Sequence, residues 1–151
     1  MLRPIALFLL VGVVSCDSAT APDSALVGQY ELSSVNGDTT IAGQNPDSSP
    51  RTFYGFVILR NDGSYSYALI MRVCDTSPCP SPNVRTFGGT WITRSPNIKL
   101  TENADGTTRR WSYSSDELSG IESKFFNGSA SLLFRKCGTV ETGGCALSPG
   151  T

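Results

Sequence analysis

The sequence predicts an all-β domain: a single antiparallel, eight-stranded, up-and-down β-barrel that follows a signal peptide and a short tether. Three observations indicate this fold class. Short segments alternate apolar or aromatic residues with polar ones, turn signals recur about every 8–12 residues, and no segment keeps a helical period. Consecutive antiparallel strands usually pair, which favours an up-and-down order, and closure into a barrel removes exposed edges.

The amino terminus begins with a positive residue, Arg3, and an apolar run over residues 5–14. A membrane-spanning helix needs about 20 apolar residues, so this run is typical of a secretory signal peptide instead. The run ends in Val13-Val14-Ser15-Cys16, which resembles the bacterial lipobox. That resemblance implies that the chain is cut before Cys16 and that this cysteine carries the acyl chains, such as palmitate, of a lipoprotein. The alternative is an ordinary signal peptide followed by a structural Cys16.

This interpretation divides the chain into four parts. They are a lipoprotein signal peptide (1–15), a lipidated tether (16–25), the barrel (26–137) and a disulfide-closed carboxyl-terminal tail (138–151). One acyl chain binds a membrane only reversibly, whereas two or three on one residue hold firmly. We therefore expect a protein of the bacterial cell envelope, lipid-anchored to a membrane and facing the periplasm or the exterior. Which membrane carries it stays open.

Composition excludes several function classes. The chain from Cys16 onward has 11 basic and 13 acidic residues, a formal charge of 11 − 13 = −2, and no basic run that would suggest a nucleic-acid partner. The chain has no histidine, which removes the commonest general base and metal ligand. No nucleophile motif or phosphate-binding glycine loop occurs. We therefore predict a protein that is not an enzyme and that needs no cofactor or metal.

Five cysteines are present, and lipidation of Cys16 leaves Cys74, Cys79, Cys137 and Cys145. Exported thiols oxidise, so these four are predicted to form disulfides, for which three pairings are possible. The pairings Cys74–Cys79 and Cys137–Cys145 are favoured, because the two cysteines of each pair flank a short loop rich in proline or glycine. Each closure would stabilise the fold by about 2–2.5 kcal/mol. A four-thiolate zinc site is the alternative, although the spacing does not match one.

The first predicted strand covers residues 26–33, and Asn36-Gly37 ends it. A polar loop follows over 38–51, and loops of this length are usually functional or mobile. The clearest hairpin joins strands at 52–60 and 64–73 through the turn signal Asn61-Asp62-Gly63.

Five further strands are predicted, with turn signals between them. They lie at 84–93, 98–100, 107–114, 118–121 and 130–136. Gly88-Gly89 favours a bulge or sharp bend within the first of these. The best helical candidate, Ser119 to Phe126, overlaps the seventh strand.

Several segments are similar to bacterial lipocalin-like domains over about residues 26–136. They are LVGQYELSSVNG (26–37), FVILRNDGSYSY (56–67), FGGTWI (87–92), IKL (98–100) and SLLFRK (131–136). The segment after the first strand departs from that pattern, because DTTIAGQ stands where a Leu-Pro pair is usual. The resemblance implies a lipocalin-like barrel.

Aromatic residues fall on the more apolar face of their predicted strands. The candidate ligand-binding set is Tyr30, Tyr65, Tyr67, Phe87, Trp91, Trp111 and Tyr113. An eight-stranded barrel is wide enough either to be filled by such side chains or to hold one ligand. The sequence therefore predicts a non-enzymatic binding module, with a barrel that could hold a small apolar ligand. The alternative is a protein-binding envelope factor, an inhibitor or assembly accessory, that acts through loops 38–51 and 74–83.

Overall fold

The computed structural model describes residues 22–39, 51–73, 80–126 and 128–138. In this part of the chain, antiparallel strands follow one another around a closed barrel, and the last strand pairs with the first. The strands are β1 (Gly28–Val35), β2 (Arg51–Leu59), β3 (Ser64–Val73), β4 (Asn83–Arg94), β5 (Asn97–Glu102), β6 (Thr108–Tyr113), β7 (Glu117–Phe125) and β8 (Gly128–Gly138). The predicted fold class, a single up-and-down barrel of eight antiparallel strands, is confirmed.

The connections between strands define two ends of the barrel. The capped end carries the turns at 60–63, 95–96 and 114–116, together with a 3-10 helix at Ser24–Leu26. The loop end carries the connections at 36–50, 74–82, 103–107 and 126–127. Residues 40–50, 74–79 and 127 of these connections lie outside the described residues.

The 3-10 helix closes the capped end with polar contacts and one apolar side chain. Asp23 caps the helix by accepting a 2.9 Å hydrogen bond from the Ala25 amide, and Leu26 is buried. The hydroxyl of Tyr30 donates to the Leu26 carbonyl at 2.8 Å. Lys136 Nζ donates to the Ala25 carbonyl at 2.7 Å. The amino-terminal segment is thus bound to both β1 and β8.

The predicted hairpin of β2 and β3 is confirmed, in continuous register from Arg51–Val73 to Leu59–Tyr65. Gly63 has a positive φ of 77°, and Asp62 Oδ1 accepts a 2.8 Å hydrogen bond from the Ser64 amide. An Asn-Asp-Gly turn suits this geometry because its residues tolerate left-handed backbone and cap their own amides.

The helical candidate Ser119 to Phe126 is wrong. Most of this segment belongs to β7, which pairs with β8 through Ser119–Leu133, Gly120–Leu132 and Glu122–Ala130. The segment has no strong intrinsic preference, so pairing with a neighbouring strand and burial of alternate side chains decide its conformation.

Of the bulge or sharp bend predicted at Gly88-Gly89, the bulge is wrong, because β4 pairs with β3 through both glycines without a register shift. Close packing explains Gly89 instead. A Cβ atom there would lie 1.9 Å from the Thr101 carbonyl oxygen and 3.0 Å from the Tyr65 ring. The strand therefore needs a residue without a side chain at this inward-facing position.

Several sequence predictions concern residues outside the described part of the chain. These residues are Cys16, Cys74, Cys79, Cys145 and the loop segment 40–50. Cys137 lies in β8, with its Sγ 3.5 Å from the Gln29 carbonyl oxygen. Lipidation and cysteine pairing therefore stay predictions. Among the described residues, no helix is long and apolar enough to cross a membrane.

Candidate functional site

Aromatic side chains from four strands meet inside the barrel around Tyr67. Its ring stacks on Phe87 with 5.1 Å between ring centroids, and it meets Trp111 edge-on at 5.3 Å. Phe134 lies 5.8 Å from Tyr67 and stacks on Trp111 at 5.5 Å. Contacts of this kind add about 0.5–1.5 kcal/mol each beyond the burial of their area. The middle of the barrel is therefore a rigid aromatic cluster of Tyr67, Phe87, Trp111 and Phe134.

Gly120 on β7 leaves space for the indole ring of Trp111, a member of this cluster. A Cβ atom at Gly120 would lie 2.0 Å from Trp111 Cδ1 and 2.6 Å from Trp111 Nε1. The indole therefore rests directly on the β7 backbone, which holds its plane against Phe134.

Three charged side chains lie buried beside the aromatic cluster. Arg109 on β6 donates from Nε to Glu122 Oε2 at 2.8 Å and from Nη1 to Glu102 Oε2 at 3.1 Å. Its guanidinium also covers the Phe87 ring at 4.7 Å. Glu122 Oε1 accepts from the Lys124 amide at 2.9 Å. Buried charges require partners of this quality, because desolvation of an unpaired ion costs several kcal/mol.

Lys124 and Asp105 cover this ionic cluster at the loop end. Lys124 Nζ lies 2.7 Å from Asp105 Oδ2 and 3.5 Å from Glu102 Oε2. The Lys124 and Asp105 side chains are 40% and 46% exposed, whereas Glu122 has no exposed surface. The solvent exposure of the charged side chains therefore increases from the buried charges beside Tyr67 to the solvated Lys124–Asp105 ion pair at the loop end.

Several buried polar atoms in this region have no hydrogen-bond partner among the described residues. They are Tyr65 Oη, Tyr67 Oη, Arg109 Nη2 and Trp111 Nε1. Most buried side-chain polar atoms in native proteins are paired, and an unpaired one costs about 1–3 kcal/mol. A concentration of such atoms beside one ion cluster marks a place where a further polar group could bind.

Electrostatics keep both tyrosines neutral. Burial raises the pKa of Tyr67, and the negative charge of Glu122 and the interaction of its carboxylate with the Tyr67 hydroxyl raise it further. Burial also raises the pKa of Tyr65, which outweighs the opposing effect of the Arg109 charge. For Arg109, burial alone would lower the pKa, but the hydrogen bond and charge of Glu122 give a net increase. The site therefore presents a permanent cation and two hydroxyl groups.

The barrel wall is weakest next to these groups. Backbone pairing between β6 and β7 is confined to Ser112–Ser119 and Tyr113–Leu118, near the capped end. The other neighbouring strands pair over longer stretches. Beyond Ser112 and Ser119, towards the loop end, the side chains of Arg109 and Glu122 join the two strands instead.

The seven aromatic residues singled out by the sequence all contribute to the barrel core, but they fall into two groups. Tyr30, Trp91 and Tyr113 lie towards the capped end. Tyr30 and Trp91 bond there to protein groups, the carbonyls of Leu26 and Arg60. Tyr65, Tyr67, Phe87 and Trp111 lie beside or within the ionic and aromatic clusters. This second group adjoins the buried polar atoms of Tyr65, Tyr67, Arg109 and Trp111 that make no hydrogen bond among the described residues.

Sequence reasoning missed the buried charges Glu102, Arg109 and Glu122. A signal for them was present, because each shares a strand face with apolar residues. Glu102 alternates in phase with Ile98 and Leu100 on β5, and Arg109 with Trp111 on β6. Charged residues on the apolar faces of three consecutive strands predict an interior ion cluster once the barrel is closed.

Comparisons with known proteins add no relative: no family model, no curated protein and no solved structure matches the chain.

Proposed function

We propose that this chain is a bacterial lipoprotein, anchored through Cys16, whose barrel is a non-enzymatic binding module for a small, largely apolar molecule. One observation carries the proposal: unpartnered polar atoms of Tyr65, Tyr67 and Arg109 lie buried beside an aromatic cluster. Buried polar atoms in native cores are mostly paired with protein groups or ordered water, so several without a partner among the described residues favour a site for a bound molecule. A bound molecule that supplies both apolar surface and a hydrogen-bonding group would satisfy them.

The position of these groups indicates how a ligand reaches them. The ionic cluster lies in the halves of β6 and β7 that adjoin the loop end, where backbone pairing has stopped. The capped end, by contrast, is closed by Leu26 and by the hydrogen bonds of the 3-10 helix. We propose that a ligand enters from the loop end, past the side chains of Lys124 and Asp105. The aromatic rings of Phe53, Phe125 and Phe126 pack against one another at this same end.

The described chain that leads back towards the proposed anchor begins at the capped end, opposite the proposed ligand access. Pro22 adjoins Gly63 in a turn of the capped end, 3.4 Å from where its Cβ would be. Six peptide steps separate Cys16 from Pro22, and fully extended chain spans at most about 3.3–3.6 Å per residue. An anchor on Cys16 would hold the capped end within about 20 Å of the membrane.

Native mass spectrometry of the protein purified from its own host tests the binding function. We expect a co-purifying small molecule, which is reduced in a variant carrying Tyr65→Phe and Tyr67→Phe. Tyr30→Phe is the matched control, because that hydroxyl already has a protein partner at the capped end. A stoichiometric protein with no small molecule would overturn the proposal in favour of an envelope factor that binds proteins.

A further inference from the structure

We infer that the interior site selects an uncharged oxygen acceptor, a carbonyl or hydroxyl group on an otherwise apolar molecule, which binds to Arg109 Nη2 and the hydroxyls of Tyr65 and Tyr67. This inference rests on the proposed binding function and specifies the class of ligand. Its starting point is the set of buried atoms that make no hydrogen bond of good geometry with the described residues. The Tyr65 hydroxyl is nevertheless close enough to Arg109, and the Tyr67 hydroxyl to Glu122, for these side chains to affect each other.

Within the described part of the chain, one edge of the Arg109 guanidinium makes no hydrogen bond of good geometry. Its Nε and Nη1 are used by Glu122 and Glu102, which leaves the Nη2 hydrogens without an acceptor among the described residues. A guanidinium nitrogen only donates, so it calls for an oxygen or nitrogen with a lone pair and repels a cation. The ligand group that faces Arg109 must therefore be an acceptor.

Formal charges disfavour an anionic acceptor. The buried groups Arg109, Glu102 and Glu122 sum to 1 − 2 = −1, and Lys124 brings the set only to neutrality. Lys124 is in turn shared with Asp105 at 2.7 Å. A carboxylate or phosphate placed beside Arg109 would lose its hydration next to two fixed carboxylates, with no surplus positive charge to compensate. A neutral carbonyl or hydroxyl does not meet this penalty.

The tyrosines complete the site. Tyr65 and Tyr67 point to the same face of β3, and each is less than 3% exposed. Tyr65 lies over Gly89, where the absence of a side chain leaves its ring free to lie against β4. A neutral hydroxyl can donate to a ligand oxygen or accept from a ligand N–H. An amide, ester or alcohol head group therefore matches the three groups, and the aromatic cluster supplies apolar contact for the remainder.

A set of probes with the same tail and different heads tests the inference. Decanamide, decanol, decanoate and decylamine are titrated at pH 7 into the mature chain carrying Cys16→Ser, which keeps the whole barrel and avoids detergent. Binding is followed by calorimetry and by the fluorescence of the protein's two tryptophans. We expect decanamide and decanol to bind at least tenfold more tightly than decanoate and decylamine. Decanoate or decylamine binding as tightly as decanamide would overturn the inference but leave the proposed function standing.

Tyr65→Phe and Tyr67→Phe each remove one hydroxyl that the protein does not pair, so both variants should fold. Each should weaken decanamide binding about two- to tenfold, the fold-change that corresponds to one net hydrogen bond. Tyr30→Phe should leave the affinity unchanged. Equal affinities in all three variants would overturn the inference. If no probe binds and no small molecule co-purifies, the inference and the proposed function fail together.

Discussion

Nε of Arg109 on β6 donates to Oε2 of Glu122 on β7 across 2.8 Å, where the backbone pairing of these strands has already ended. Continuing the register of Ser112 and Ser119 places the two residues opposite each other. Both side chains are buried, at 5% and 0% exposure, so water screens their attraction weakly. A side-chain ion pair thus joins the barrel wall at the position where main-chain hydrogen bonds do not.

Removal of this joint should destabilise the barrel strongly. Glu122→Ala leaves the guanidinium of Arg109 short of a partner and the Lys124 amide without its acceptor. We expect a loss of about 3–5 kcal/mol in the free energy of unfolding, measured by urea denaturation. Glu117→Ala is the control, because it breaks only the exposed pair with Arg135 and should cost about 0–1 kcal/mol. Equal losses of unfolding free energy in the two variants would show that the buried ion pair does not stabilise the contact between β6 and β7.

Neighbouring glycines of β4 should respond differently to the same substitution. A Cβ at Gly89 would overlap the Thr101 carbonyl at 1.9 Å, whereas one at Gly88 meets only the Tyr65 carbonyl oxygen at 3.5 Å. Gly89→Ala should cost about 1–3 kcal/mol or more, because backbone atoms must shift. Gly88→Ala should be neutral or stabilising by up to about 1 kcal/mol. Thermal unfolding of both variants measures the difference, and similar melting temperatures would contradict the packing explanation.

The alternation of apolar and polar residues was sufficient to predict the barrel. In β3, for example, Tyr65, Tyr67 and Leu69 share the buried face, and Asn61-Asp62-Gly63 forms the turn that its composition predicts. These features are local, since a strand's two faces and a turn's backbone conformation depend on residues close in sequence. The order of pairing follows because neighbouring strands are joined by short connections.

The interior site was less predictable because it depends on contacts between distant strands. Alternation places Glu102, Arg109 and Glu122 on inner faces, but only the closed register brings their side chains within hydrogen-bonding distance. The role of Gly89 likewise depends on its contact with Thr101, which lies on the neighbouring strand β5. A glycine in a strand can mark either a bulge or a close approach, and sequence alone does not separate them.

The two unpartnered tyrosine hydroxyls should contribute nothing to the stability of the ligand-free protein. Tyr65→Phe and Tyr67→Phe each remove a buried polar atom without a partner, so unfolding free energy should be unchanged or rise by up to about 1 kcal/mol. Tyr30→Phe removes a 2.8 Å hydrogen bond to the Leu26 carbonyl and should cost about 0.5–1.5 kcal/mol. Urea denaturation of the three variants gives the order. A larger loss for Tyr67→Phe than for Tyr30→Phe would mean that its hydroxyl has a structural partner.

Cys16→Ser should release the protein from the membrane. The substitution removes the thiol that would carry the acyl chains, and nothing in the tether after it is apolar enough to replace them. Fractionation of cells and the mass of the amino-terminal peptide measure the change. Cys74→Ser keeps Cys16 and should stay with the membrane fraction. A Cys16→Ser protein that still sediments with membranes after residues 1–15 have been removed, as shown by the mass of its amino-terminal peptide, would refute the anchor assignment.

Alkaline pH should unfold the barrel through its buried tyrosines. Burial raises the pKa of Tyr30 from 10.0 to about 12, with the charges of Asp116 and Asp23 adding to the rise, and burial also raises the pKa values of Tyr65 and Tyr67. A raised pKa in the folded state means that the folded protein holds the proton more tightly than the unfolded chain. The resulting stabilisation is complete below the unfolded pKa near 10 and is lost as pH rises through the folded values.

Stability measured by urea denaturation should therefore fall as pH rises from about 10 towards 12, and tyrosinate absorbance should appear together with the loss of the β-sheet circular dichroism signal. Tyr30→Phe should make the fall less steep, because one fewer proton is released on unfolding. If Tyr30, Tyr65 and Tyr67 ionise with a midpoint near pH 10 in a protein that keeps its β signal, water reaches these hydroxyls, and the interior described for them is wrong.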